Sequence, residues 1–162
     1  MSIELKDDLP AMSPETAKKA MQTYQSICKA MLDDSDYQKI MVNGQQKEFK
    51  KKSAWRKLAR AFSISDEIIK EEHEVNEKYE VWRIYVRASS ANGRSVIGVG
   101  SCSSRERVFA HIDHDLYATA HTRAKNRAIS DILGSGETSA EEIEPQLKKT
   151  YWEAGDKELA KK

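Results

Sequence analysis

The residues whose types and spacing could do chemistry fall into two groups. The first is His111, Asp113, His114 and Asp115, with His121 a turn or two further on. Imidazoles three apart with nearby carboxylates are ligands for zinc or manganese, so a metal-dependent enzyme using His111, Asp113 and His114 is one reading. The spacing matches no established zinc pattern, and a His-Glu-x-x-His motif is absent. Asp115 as a helix N-cap, with His114 just outside it and His121 near a buried edge, explains the same residues without a metal. No metal and no cofactor is expected. A Gly-x-Ser-x-Gly elbow and a phosphate loop are also missing, and the pairs Glu71-Glu72 and Glu141-Glu142 read as solvated faces. The chain is therefore expected not to be an enzyme.

The second group is basic. Lys50, Lys51, Lys52, Arg56, Lys57 and Arg60 crowd one short stretch, and Arg123, Lys125 and Arg127 follow in a second. Trp55, Tyr79, Trp82 and Tyr85 lie within or beside these stretches. Phosphate neutralisation with occasional base stacking is what binding of single strands needs, and it needs no sequence code. The competing explanation is that Trp55 and Trp82 are core and the charges ordinary solvated faces. The net charge is only +1. It is segregated, however: residues 37–62 carry eight basic side chains and one acidic, and residues 81–134 carry eight and four. Acidic blocks flank both. A segregated surface can steer a polyanion even when the total is near neutral.

Several elements must hold these groups in place. Ser13, Pro14 and Glu15 open a helix over 13–32, with an apolar stripe from Ala17 to Met31. Residues 37–42 and 45–49 flank Asn43-Gly44, a tight hairpin turn. The first basic block then rides on a short helix over 53–62, with Trp55, Leu58, Ala59 and Phe62 on its inner face. Strands are expected over 68–75, 80–89 and 95–103, the last two joined by Ala91-Asn92-Gly93-Arg94. Gly98 and Gly100 leave room for close approach of another backbone or a ligand. A helix over 115–133, closed by Gly134, puts Leu116, Ala120, Ala124, Ala128 and Ile132 on one stripe. Thr119, Thr122, Asn126 and Ser130 form its small polar face, with Arg123 and Arg127 at the seam. The fold class is α+β: an antiparallel sheet, made of a β-hairpin and a three-stranded meander, packed by helices.

At 162 residues the chain suits one domain, read as 1–136 with a core over 37–134, followed by a charged tail over 137–162. No stretch approaches the roughly 20 apolar residues of a membrane span. The start, Met-Ser-Ile-Glu-Leu-Lys-Asp-Asp, lacks the basic and apolar regions of a secretory signal. Cys28 and Cys102 are in no metal-type spacing and read as reduced thiols, which points to the cytoplasm, nucleoid-associated, or another reducing compartment.

The order of these elements resembles the annealing core of the Rad-fifty-two-like superfamily of single-strand annealing proteins, near which phage annealing proteins such as Erf and Sak are grouped. The likeness runs from about Tyr37 to Gly134 and rests on three segments. KKKSAWRKLARAFS (50–63) takes the place of a helix ending in a Phe-Gly-like corner. VWRIYVRASSANGRSVIGVGSCSSRE (81–106) is similar to a strand, turn and glycine-rich strand. ATAHTRAKNRAISDILG (118–134) is similar to a helix with a basic pair, Arg-Ala-Leu/Ile and a closing glycine. Arg127 stands at the arginine of that element, and Asn126 stands where lysine is usual.

The resemblance implies a groove for single-stranded DNA floored by the last helix, a ring or helical homo-oligomer, and annealing of complementary strands in recombination and repair without nucleotide hydrolysis. The expected nucleic-acid-binding residues are Lys50, Lys51, Lys52, Arg56, Arg60, Arg123, Lys125 and Arg127. Single-stranded DNA is the expected partner, with RNA as the alternative ligand of a binding module that does not anneal. A recombination or single-strand-binding protein is a further expected partner, through the tail.

Overall fold

A computed structural model describes residues 12–143. The N-terminal octapeptide and most of the charged tail, including Lys148 to Trp152, lie outside the described residues. The chain divides into two compact units between Met31 and Leu32. The first contains helix α1 (Pro14–Met31), whose N-terminus Ser13 caps by accepting from the Thr16 amide at 3.2 Å.

The second unit holds the remaining elements: strands β1 (Tyr37–Val42) and β2 (Gln45–Lys50), helix α2 (Lys52–Ala61), strands β3 (Ser65–Val75), β4 (Glu80–Ser89) and β5 (Ser95–Ser103), and helix α3 (Ile112–Leu133). The class is α+β, and all strand pairs are antiparallel. The strands form two sheets, a β1–β2 hairpin and a β3–β4–β5 meander. Asn43 and Gly44 take the positive φ angles of a primed turn, 50° and 77°, which fixes the register with Val42 opposite Gln45.

The core lies between the meander and α3. Ile84, Val86, Ala88 and Cys102 from the sheet meet Leu116, Ala120, Ala124, Ala128 and Ile132 from the helix. The helix sits unusually close to β5. A Cβ built on Gly98 would stand 2.4 Å from the Ala124 carbonyl oxygen, and one on Gly100 would stand 2.2 Å from that of Ala120. The two glycines thus make room for a backbone and not for a ligand. Burial pushes the Cys102 thiol up to about 11, with the nearby Glu106 charge adding to it, so this cysteine stays protonated and unreactive.

Strand β3 begins at Ser65, earlier than the acidic run suggests, and α3 begins at Ile112, three residues before Asp115. The chain enters α2 through a corner built on Asp36. Its carboxylate, 1% exposed, accepts from Lys57 Nζ at 2.6 Å and the Asp33 amide at 3.1 Å. The backbone carbonyl of Asp36 accepts from the Lys51 amide at 2.8 Å. Burial alone would raise the pKa of Asp36. Hydrogen bonds from Lys57, Ser53 and Asp33 outweigh burial and hold it below the ordinary carboxylate value.

A depressed carboxylate pKa has one sign in stability. The contribution is complete above the unfolded value of about 3.9 and disappears as pH falls through the lower folded value. Asp36→Asn should therefore cost about 1.5–3 kcal/mol near neutral pH, the scale of hydrogen bonds to a charged group. The gap between variant and wild type should stay constant from pH 6 to about pH 4 and narrow below that as urea unfolding is repeated down to pH 2. A gap that stays constant down to pH 2 would show that Asp36 is not held as a carboxylate.

Candidate nucleic-acid interface

The expected basic residues separate into two sets with different surroundings. Lys51, Lys52, Arg56 and Arg60 belong to α2 or its N-cap, and Lys52, Arg56 and Arg60 are exposed. Four-residue spacing sets these three in one row along the helix, in steps of about 6 Å. The row exists because the opposite face is apolar: Ala54, Trp55, Leu58 and Ala59 are buried. None of the four cations has a carboxylate partner among the described residues.

The α3 set is paired. Lys125 Nζ meets Asp66 at 2.8 Å. Arg123 is 7% exposed. Its guanidinium donates to both oxygens of Glu106 at 3.0 and 2.8 Å, to the Ser101 carbonyl at 2.6 Å and to the Glu141 carbonyl at 3.2 Å. Burial pulls the Arg123 pKa down, and the double bond to Glu106 more than reverses this, so the charge is secure. Arg123 therefore clamps the sheet to the helix and the chain that follows it. Arg123, expected to face a strand in a groove, is buried with four of its five N–H donors on protein acceptors.

Arg127 pairs with Glu142 and not with Asp131, four residues on, and also donates to the Val99 carbonyl at 2.9 Å; its side chain remains 55% exposed. Val99 and Ser101 belong to the end strand β5. The two arginines thus occupy carbonyls that an added strand would use, one means of protecting a sheet edge. Lys50 pairs with Glu137 and stands 5.8 Å from the centres of the Tyr37 and Trp55 rings.

The C-terminal half of the small polar face of α3, Asn126 and Ser130, is covered, while Thr119 and Thr122 are only half-buried. Gly134 closes the helix in the left-handed region with φ 67°, and Gly136 repeats that conformation at 66°. Residues 135–143 then run back over α3. Asn126 donates to Glu141 at 3.2 Å, and the Ser130 hydroxyl bonds the Glu137 carbonyl at 2.8 Å. Ser139 and Glu142 are both buried: the Ser139 amide and hydroxyl donate to the Glu142 carboxylate and the Glu142 amide donates to the Ser139 carbonyl, which supplies half of a capping box at the start of the helical turn from Ala140. The boundary expected between domain and tail at 136/137 is thus absent from the contacts. Glu141 and Glu142 are not a solvated pair, and the Ser139-Ala140-Glu141-Glu142 pattern is the sequence signal that marks them.

Where α2 meets α3 there is a cleft of about 340 Å³, lined by Lys52, Arg107, Thr119, Thr122 and Arg123 together with the carboxylates Asp115 and Glu141. Arg107 is a contributor that motif reading does not single out. Burial first, then the charges of Lys125, Arg56 and Lys52, hold His121 below its ordinary pKa against the opposing pull of Asp66. No protein-family model matches the chain, and no curated protein does.

The aromatic residues are largely committed. Trp55 is fully buried, and its indole N–H has no hydrogen-bond partner among the described residues. Trp82 lies between His73, stacked at 4.0 Å, and Tyr117, edge-on at 5.1 Å. Tyr79 carries Arg105 over its ring at 4.2 Å, and the Tyr85 hydroxyl bonds Glu72. Trp55 is core, so it offers no ring for stacking.

The histidines of the first group are spread along the start of α3. His111 is the N-cap residue, and its amide donates to the Asp115 carboxylate at 3.2 Å. His114 lies 3.3 Å from the same carboxylate. Asp115 therefore secures the helix start from inside the helix, where the sequence places it at the cap. Among the described residues no group of three or more His, Cys, Asp or Glu side chains is arranged to hold a metal. No helix among them is long and apolar enough to cross a membrane.

Proposed function

We propose that the chain binds single-stranded nucleic acid along α2 and promotes pairing of complementary strands without nucleotide hydrolysis. The observation that carries this reading is the row of Lys52, Arg56 and Arg60, with Lys51 beside it, left without carboxylates among the described residues, where most of the neighbouring cations are paired. Fixed positive charge on a rigid helix lowers the cost of receiving phosphates, because nothing must first be displaced. Backbone contacts of this kind carry no sequence code, which suits a protein that must accept any pair of complementary strands. The resemblance to annealing proteins supplies the step from binding to annealing, and with it the proposal that several copies assemble, as a ring or a helical filament, to present two strands together.

The test is a fluorescence annealing assay with complementary oligonucleotides, run without nucleotide and with a chelator present. Annealing should be accelerated. Binding should weaken with salt, log K against log salt sloping near −3 if about 4 phosphates are neutralised per protomer. Strand binding without acceleration would leave the chain a binding module. Loss of activity on chelation would favour the metal-dependent reading.

A further inference from the structure

Three carboxylates on the segment after α3 sit on groups suited to phosphate. Glu137 pairs with Lys50. Glu141 accepts from the Lys52 amide at the first turn of α2 at 2.7 Å, and from Asn126 of α3. Glu142 pairs with Arg127. The Lys52 amide is one of the unsatisfied donors at a helix N-terminus, where anions bind. A side-chain carboxylate thus occupies the place next to the exposed α2 row that an incoming phosphate oxygen would take.

We infer that residues 137–142 form an acidic strap that occupies part of the nucleic-acid interface in the free protein and is displaced by the strand. The inference rests on the binding function proposed above. Its energetic basis is the unequal strength of the contacts. The Glu137 side chain is 38% exposed and that of Glu142 7%, so water reaches the carboxylate at the near end and not the one at the far end. Glu142 is buried and accepts from the Ser139 amide and hydroxyl, so it anchors the far end. The near end has no regular structure between Gly134 and the turn at Ala140, and left-handed Gly134 and Gly136 reverse the chain there. The near end can swing aside about Gly136, and Glu141, within the anchored turn, releases the Lys52 amide by rotation of its side chain, so α3 need not unfold. Displacement would release Lys50 and the α2 N-terminus to extend the row already formed by Lys52, Arg56 and Arg60. Specificity follows as well, because a single small anion gains too little to lift the strap while a run of phosphates replaces its carboxylates together.

The test uses the full chain and a labelled oligothymidylate of about 20 nucleotides, longer than one expected site. The variant Glu137→Gln/Glu141→Gln leaves the Ser139–Glu142 bonds intact. It should bind roughly tenfold more tightly than wild type at low salt, with a salt slope steeper by about 0.7 for the one lysine released. In the wild-type protein, hydrogen exchange at the amides of 137 and 138 should quicken when the oligonucleotide saturates the site, while those of the anchored 139–142 turn stay as they are. Equal affinity of variant and wild type, or amides of 137 and 138 that keep or gain protection on binding, would overturn the strap while leaving strand binding in place. If neither protein binds the oligonucleotide at any salt, the binding function fails and the strap fails with it.

Discussion

Gly100→Ala should destabilise the protein by about 3 kcal/mol or more, the upper part of the range for overpacking a core. The reason is the identity of the atoms it would strike. The new methyl would lie 2.2 Å from the Ala120 carbonyl oxygen and 2.3 Å from the Ala124 amide nitrogen. Both are backbone atoms of α3, so no rotamer change can move them aside. The helix must lift by about an ångström, and contacts in a close-packed interior decay over that distance. Leu116, Ala120, Ala124, Ala128 and Ile132 would all lose their fit to β4 and β5. Against a total stability of about 5–15 kcal/mol, such a loss removes much of the folded margin. Thermal unfolding should show a midpoint lowered by about 10 °C. Gly93→Ala is the control: its methyl meets nothing within 4 Å, and only the φ of 86° opposes it, at about 1–2 kcal/mol. Shaving the helix with Ala124→Gly should not rescue Gly100→Ala, because the clash is with main chain. Full rescue would show that the close approach has been misplaced.

That contact was half legible in the sequence. Alanine at three successive turns and glycines two apart on a strand announce that something packs closely. Only the structure says that each meets the other. Strand limits at 80–89 and 95–103 were readable because both runs are bounded by turn residues and carry β-branched or alternating side chains. The start of α3 was not. Asp115 was expected to cap from outside, and in the fold its carboxylate reaches back to the His111 amide from within the first turn. The helix therefore gains three residues. Local turn signals also fix pairing only within a hairpin. Nothing local told that β1–β2 and β3–β5 form separate sheets.

The candidate interface was less legible than the fold, for a physical reason. Periodicity tells which face of a helix is polar and is silent on what covers it. Asn126 and Ser130 look like the floor of an open groove, and they are 2% and 4% exposed beneath the following segment. Arg123 looks free because its partner Glu106 is distant in sequence, and the loop that carries Glu106 has no periodic pattern. The α2 row was readable because its lack of partners has a local cause: residues 37–62 contain one acidic residue, Glu48, which pairs across the hairpin with Lys39.

Removing the α2 row should have the largest effect on function. Lys52→Ala/Arg56→Ala/Arg60→Ala should weaken binding of single strands by about 10²–10³-fold at low salt. Each charge-assisted contact to phosphate is worth about 1.5 kcal/mol or somewhat less where exposed, and tenfold in affinity corresponds to 1.4 kcal/mol. The salt slope should fall by about 2 at the same time, since about 3 fewer counterion sites are vacated, each counting 0.7 for single strands. All three side chains are exposed, so the fold should survive with an unfolding midpoint within a few degrees of wild type. Arg123→Ala is the contrasting variant. It leaves Glu106 without its guanidinium and the carbonyls of Ser101 and Glu141 without that donor. Breaking a buried pair in this way costs about 3–5 kcal/mol, and any loss of strand binding should follow the loss of folded protein. The two variants together separate the roles, provided that affinity is measured by anisotropy at two salt concentrations on protein shown to be folded by circular dichroism. If Arg123→Ala stays folded and loses binding while the α2 variant binds as wild type does, the interface lies on α3 and not on α2.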